Sequence, residues 1–303
     1  MKRKYTAIQT RRLIFWRRWY KMHKLLYETQ NGELIDLFAI QNATVTNVTG
    51  LGMAKSLLTY YKRADMDVEE LNAVTFDKRT IQITYRLTGG RENAKTRRYI
   101  YNLFSSKKAA RLFYVDEDIN VYAVVTVEDV DTVVWTNTPT MIVTFAAPDP
   151  FFRTVEKSNV ARSIENKFVF PLEITPPYEF GEIKEETSLI INNGGQVESP
   201  LHLVLKTNSS VENPTVIINN GDFFGLNYTF EADTEIHIIT KRGNKTVYFE
   251  KNGVKTDLFA FVSAASTWLQ MEQGQNVFNV SAANANADLT LTILYEELFI
   301  GVE

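Results

Sequence analysis

Cysteine is absent from the 303 residues. That absence removes a disulfide framework, a thiolate zinc site and a cysteine nucleophile together, and it is compatible with assembly in a cytosol. Long apolar runs are missing as well. Nowhere do 18 apolar residues follow one another, so no stretch reads as a membrane-spanning helix. The glycine signatures of nucleotide sites (P-loop, G-x-G-x-x-G) and the G-x-S-x-G nucleophile elbow do not occur. Carboxylates gather in turn-like dipeptides such as Glu69-Glu70, Glu128-Asp129 and Glu296-Glu297, and no pair is marked for acid–base work. The expectation is a protein that is no enzyme and uses no cofactor and no metal.

What is present is globular. An apolar content of 45% against 23% charged excludes wholesale disorder, and the length suits two domains. Charge is unevenly spread. Residues 1–21 hold eight Lys or Arg and no acid, which leaves 25 basic against 36 acidic residues in the remainder. A body that acidic is a poor general binder of nucleic acid, whose phosphates need clustered cations.

The opening segment, with "FWRRWYKMHK" at 15–24, is unlike the start of a domain. It has neither the apolar stretch nor the cleavage site of a secretory signal. "WRRW" can be encoded as TGG-AGG-AGG-TGG, a purine-rich ribosome-binding sequence three codons before Met22. The reading is that translation begins at Met22. A basic arm for DNA or anionic lipid, or an amphipathic helix for a partner, is the alternative.

From Met22 onward short strands dominate. Gln30-Asn31-Gly32 lies between two apolar runs and predicts a hairpin. Gly50-Leu51-Gly52 suits a turn or a close backbone approach. In "TFDKRTIQITYRLTGG" Ile81, Ile83 and Tyr85 alternate with Gln82, Thr84 and Arg86, the period of a half-buried strand. One helix is predicted in "RENAKTRRYIYNLFSS", with Asn93 as N-cap and Tyr99, Ile100, Leu103 and Phe104 as its apolar stripe. Pro148-Asp149-Pro150 is a stop signal. The domains expected are 22–150, a Pro- and aromatic-rich connector at 151–187, and a strand-and-turn region at 188–303 that reads as a β-sandwich.

Four places invite chemistry. Asp116, Asp118 and Asn120 open like a calcium loop, but the glycine and the closing glutamate are missing, so a polar hairpin turn is the reading. His202 and His237 sit on strand faces opposite their apolar neighbours; they can meet, with no third ligand marked. Trp268 reads as core ahead of the last hairpin, with sugar stacking as the alternative. Leu57, Leu58, Tyr60, Tyr61 and Met66 form an apolar stretch with neither clean helix nor clean strand period. It is either internal to the fold or an arm that meets a neighbouring chain.

Several motifs together resemble the distal tail (Dit) protein family of long-tailed bacteriophages. They are "YETQNGELIDL", "VTGLG", "ARLFYVDEDINVYAVVTVEDVD" at 110–131, "MIVTFAAPDPFF" at 141–152 and "FPLEITPPYEFG" at 170–181. "INNGGQVESPLHLVL" at 191–205, "ENPTVIINN" at 212–220 and "WLQMEQGQNVFNVSA" at 268–282 continue the series. The resemblance implies a mainly β chain of two domains. The first is β-barrel-like with one helix and a belt extension, and the second is a galectin-like sandwich. It also implies a hexameric ring at the tail tip that joins the tail tube protein to the hub or tail-associated lysin and carries receptor-binding or baseplate proteins. DNA would only pass through the lumen, no membrane would be involved, and the location would be the virion, assembled in the host cytoplasm. If the stretch at 55–66 lies in the belt, its Leu and Tyr side chains would pack on the adjacent subunit. A lectin-like carbohydrate-binding module is the alternative function.

Overall fold

The computed structural model describes residues 23–62, 67–105, 107–133, 136, 139–162, 188–219, 221–284 and 287–302. The basic opening segment and the connector from 163 to 187 lie outside them. Two compact units are present: Met1–Val155 joined by Phe299–Glu303, and Glu156–Leu298.

The first unit is built on an antiparallel sheet. The predicted hairpin is β1 (Lys24–Glu28) and β2 (Leu34–Asp36), paired through Leu26 and Asp36, with Gly32 at a φ of +79° where the turn needs a left-handed residue. Strand β3 (Ala43–Thr49) follows, then the hairpin β4 (Ser56–Lys62) and β5 (Glu69–Phe76), which forms a two-stranded sheet of its own. In β6 (Arg79–Leu87) the expected alternation holds: Ile81, Ile83 and Tyr85 are fully buried.

A 3₁₀ turn at Gly90–Glu92 leads into α1 (Asn93–Leu103). Asn93 is not the cap. Because the 3₁₀ turn winds the chain earlier, Glu92 takes the cap position, and the Asn93 side chain instead accepts the Gly89 N–H at 2.8 Å. Ile100 and Phe104 reach the core while Tyr99 stays about half exposed, so the buried stripe is narrower than the sequence pattern.

Strands β7 (Ala110–Val115), β8 (Asn120–Val133), β9 (Thr140–Ala147) and β10 (Phe152–Thr154) complete the unit, and the sheet runs in the order β2-β1-β7-β8-β9-β6-β3. The long strand β8 serves both halves: residues 120–125 pair with β7 and residues 126–133 with β9, with a register shift between Val127 and Asp129. Such a bulge bends a strand and curls its sheet. The curled face is filled by Tyr27, Phe104 and Phe145, whose ring centroids stand 5.2, 5.4 and 5.9 Å apart.

The second unit is a sandwich. One sheet holds β11 (Lys157–Arg162), β13 (Ser199–Thr207), β18 (Thr234–Ile239), β19 (Thr246–Lys251), β20 (Val254–Asp257), β21 (Gln270–Met271) and β23 (Leu289–Tyr295). The other holds β12 (Ser188–Asn193), β15 (Thr215–Ile218), β16 (Phe223–Gly225) and β22 (Gly274–Ser281). The short pair β14 (Val211–Glu212) and β17 (Thr229–Phe230) sits apart. Leu203 and Ile238 from the first sheet share one core with Val216 and Phe278 from the second. Strand period two puts these residues inward on each sheet.

Two asparagines from the quoted motifs hold the sandwich's turns. Asn193 is buried; its Nδ2 donates to the carbonyls of Val197, Met271 and Glu272, and its Oδ1 accepts the Gly195 N–H. Asn276, also buried, donates to the carbonyls of Glu272 and Gly274 and accepts the Glu272 N–H. Irregular backbone inside a protein needs partners of this kind.

Candidate functional site

Leu57, Leu58, Tyr60 and Tyr61 all lie on β4, and the structure places them in the open; Met66 lies outside the described residues. Cross-strand pairing sorts them. Leu58 faces Val74 and Tyr60 faces Leu71, while Leu57 and Tyr61 are opposite Thr75 and Glu70. Partners share a face and neighbours alternate, so both faces of the hairpin carry large apolar groups. These six apolar side chains are between 42% and 56% exposed.

That arrangement explains the missing period in the sequence. A strand with one buried face alternates; this one has no buried face, and a bulge between Thr59 and Tyr60 shifts its register. Sequence reasoning missed the β5 half, Leu71 and Val74. The signal available was a second set of apolar residues, Leu71, Val74 and Phe76, in "EELNAVTF" shortly after the first apolar run. An isolated two-stranded hairpin is marginal in water, and grouped exposed apolar side chains are, in general, a feature of interaction surfaces.

The root of the hairpin is unlike its tip. The Asp77 N–H donates to the Lys55 carbonyl at 2.8 Å, closing the base. Just beyond, Arg79 is buried on the same face as Ile81 and Ile83, a position that the period-two pattern already marks as inward. Its Nε donates to the Pro150 carbonyl at 2.7 Å, Nη1 to those of Gly50 and Gly52, and Nη2 to that of Ile300. The guanidinium lies 4.4 Å above the Phe152 ring. Burial pulls its pKa down to about 10, so the cation persists at neutral pH, neutralised by carbonyl dipoles.

The two histidines do meet. His202 Nε2 and His237 Nδ1 are 3.2 Å apart, and the His237 ring stacks on Tyr248 at 4.7 Å. No group of three or more His, Cys, Asp or Glu that could hold a metal occurs among the described residues. The 116–120 segment is a polar turn between β7 and β8: Asp116 Oδ1 accepts the N–H groups of Asp118 and Ile119. Burial alone would raise the Asp116 carboxyl, but these bonds, the Tyr114 hydroxyl and His23 bring it below its usual value. Trp268 packs half-buried on the sandwich core, with Phe224 at 5.2 Å, Phe259 at 6.3 Å and Lys245 over its ring. None of these assemblies presents a nucleophile beside a base.

Residues 194–299 match the family model of the siphovirus-type tail component, C-terminal domain. No curated protein matches the chain. Among solved structures, the chain is similar to SPP1 Dit, described as a paradigm of the hub adsorption apparatus in phages that infect Gram-positive hosts. Identity is 13% and the TM-score 0.64, over 92% of this chain and 100% of that one. Chains of the phage p2 baseplate in its activated conformation are similar at 14% identity with TM-score 0.45 in the Ca form, and 15% with 0.42 in the Sr form. The match covers 90% and 89% of this chain, and 97% of each of those. The mainly β fold with one helix and the resemblance to distal tail proteins, both read from the sequence, are borne out. Residues 194–299 are thus similar to the C-terminal domain of siphovirus-type tail components, on a chain whose fold is similar to that of a distal tail protein.

Proposed function

We propose that copies of this chain close into a ring, hexameric in the simplest case, at the distal end of a phage tail, and that the β4–β5 hairpin makes the contact between neighbours. The observation that carries this is the hairpin itself: apolar on both faces, exposed, and paired with no other strand among the described residues. A contact between an arm on one copy and a different surface on the next is heterologous, and heterologous contacts that close make rings. The acidic body fits a lumen through which DNA passes without adhering, since carboxylates repel phosphate.

In this role the ring joins the tail tube to the hub or tail-associated lysin and carries adhesion components. It catalyses nothing, and it resides at the tail tip of the virion after assembly in the host cytoplasm. Native mass spectrometry and a sizing column test the reading. A closed species of six chains with no retention on cell-wall glycan supports it. A monomer or dimer at high concentration that binds glycan overturns it in favour of a lectin-like module.

A further inference from the structure

We propose that Arg79 is a positioning residue for the β4–β5 hairpin, and that it sets the arm through residues 299–302, a segment more than two hundred positions away in the sequence. The two legs of the hairpin converge on it. The incoming leg passes Gly50 and Gly52, whose carbonyls take Nη1; the outgoing leg ends at Arg79 itself. The Ile300 carbonyl takes Nη2, and the Val302 N–H donates to the Leu51 carbonyl at 3.0 Å. Residues 299–302 therefore touch the incoming leg twice, once through Arg79 and once directly.

The backbone is cut to fit this arrangement. Gly301 lies so close that a Cβ there would stand 2.8 Å from the Gly52 carbonyl carbon. Gly50 has a φ of +88°, and a Cβ on it would fall 2.0 Å from the Thr80 carbonyl oxygen. These close approaches bring three carbonyls to one guanidinium, and Pro150 supplies the fourth. A buried guanidinium deprived of acceptors is costly, so the cluster forms as a unit or opens as a unit. The main sheet does not depend on it in the same way: β6 is held by its ladders to β3 and β9. Among the described residues the hairpin has no such ladder to the sheet, and this cluster fixes its incoming leg.

The assembly consequence rests on the reading of the hairpin as the contact between copies, but the local consequence does not, and the experiment separates them. Hydrogen exchange and sizing are measured on the full chain and on Gly301→Val, which wedges the 299–302 segment off the leg, and Arg79→Lys, which keeps charge but loses the fork. The expected result is exchange about tenfold faster at residues 50–62 and 69–78 with β8 and β9 unchanged, the factor that ~1.4 kcal/mol of local stability gives, together with weakened assembly. Unchanged exchange at the hairpin in Gly301→Val overturns the proposal, as does equal acceleration across the whole sheet, which marks Arg79 as ordinary core. Faster hairpin exchange with intact assembly supports the positioning role and overturns the hairpin as the ring contact.

Discussion

Leu58 stands directly opposite Val74 on one face of the β4–β5 hairpin, and both are at least half exposed. Cross-strand apolar pairs normally stabilise a sheet because the face they share is covered by something else. Here nothing within the described residues covers it. Tyr60 and Leu71 extend the same face.

Leu58→Asp together with Tyr60→Asp is expected to abolish assembly while leaving the thermal midpoint of the single chain nearly unchanged. Exposed substitutions away from caps and cores shift stability by only about 0.5 kcal/mol. Native mass spectrometry and differential scanning calorimetry check the two halves. Loss of the folded chain itself would show that the hairpin serves the fold.

Tyr85 is fully buried in β6, and its hydroxyl has no hydrogen-bond partner among the described residues; burial raises its pKa, so it remains a neutral phenol. Tyr85→Phe removes the unpaired polar group and little volume. The variant is expected to be more stable by about 1 kcal/mol, the lower end of the cost of an unsatisfied buried group. Denaturant unfolding measures it, and a less stable variant would mean the hydroxyl has a bound water.

Asn193→Ala leaves three carbonyls and one N–H without their side-chain partner inside the sandwich. A loss of roughly 2–4 kcal/mol is expected, because each orphaned buried group costs about 1–3 and part of the set relaxes toward water. Chemical denaturation followed on the sandwich's Trp268 reads this. A loss well below 1 kcal/mol would show that water replaces the amide freely.

The His202–His237 pair makes the sandwich sensitive to mild acid. Burial lowers both pKa values; the neighbouring imidazole lowers His202 further, while at His237 Glu235 and Glu250 oppose the shift and Lys255 adds to it. The folded state thus takes up its protons at lower pH than the unfolded chain. Their contribution is complete above the unfolded value of about 6.5 and is lost as pH falls from there through the lowered folded values. Thermal midpoints taken between about pH 7 and pH 5 should fall more steeply for the native chain than for His202→Gln/His237→Gln. Parallel curves would refute the coupling.

Much of the fold was legible because period two is a local signal. Leu201, Leu203 and Leu205 alternate with His202, and Ile81, Ile83 and Tyr85 alternate with polar neighbours; both sets are buried as the pattern requires. The turns were legible for a similar reason, since Gly32 sits at the positive φ that its motif demands. The helix cap was misread, because Asn93 fits a cap by type while the 3₁₀ turn before it displaces the helix start by one residue.

The candidate site was only half legible. Its β4 side chains stood out as an apolar run without a period, but a run of that kind does not say whether it is covered by its own chain or by another. Sequence determined which strands form and which face of each turns inward, since these depend on residues two apart. Tertiary structure alone decided that β4 and β5 stand uncovered among the described residues, and that Arg79 gathers the carbonyls of Gly50, Gly52, Pro150 and Ile300. A carbonyl leaves no trace in the residue that bears it, so a site built from main-chain acceptors of distant segments exists only once the chain has folded.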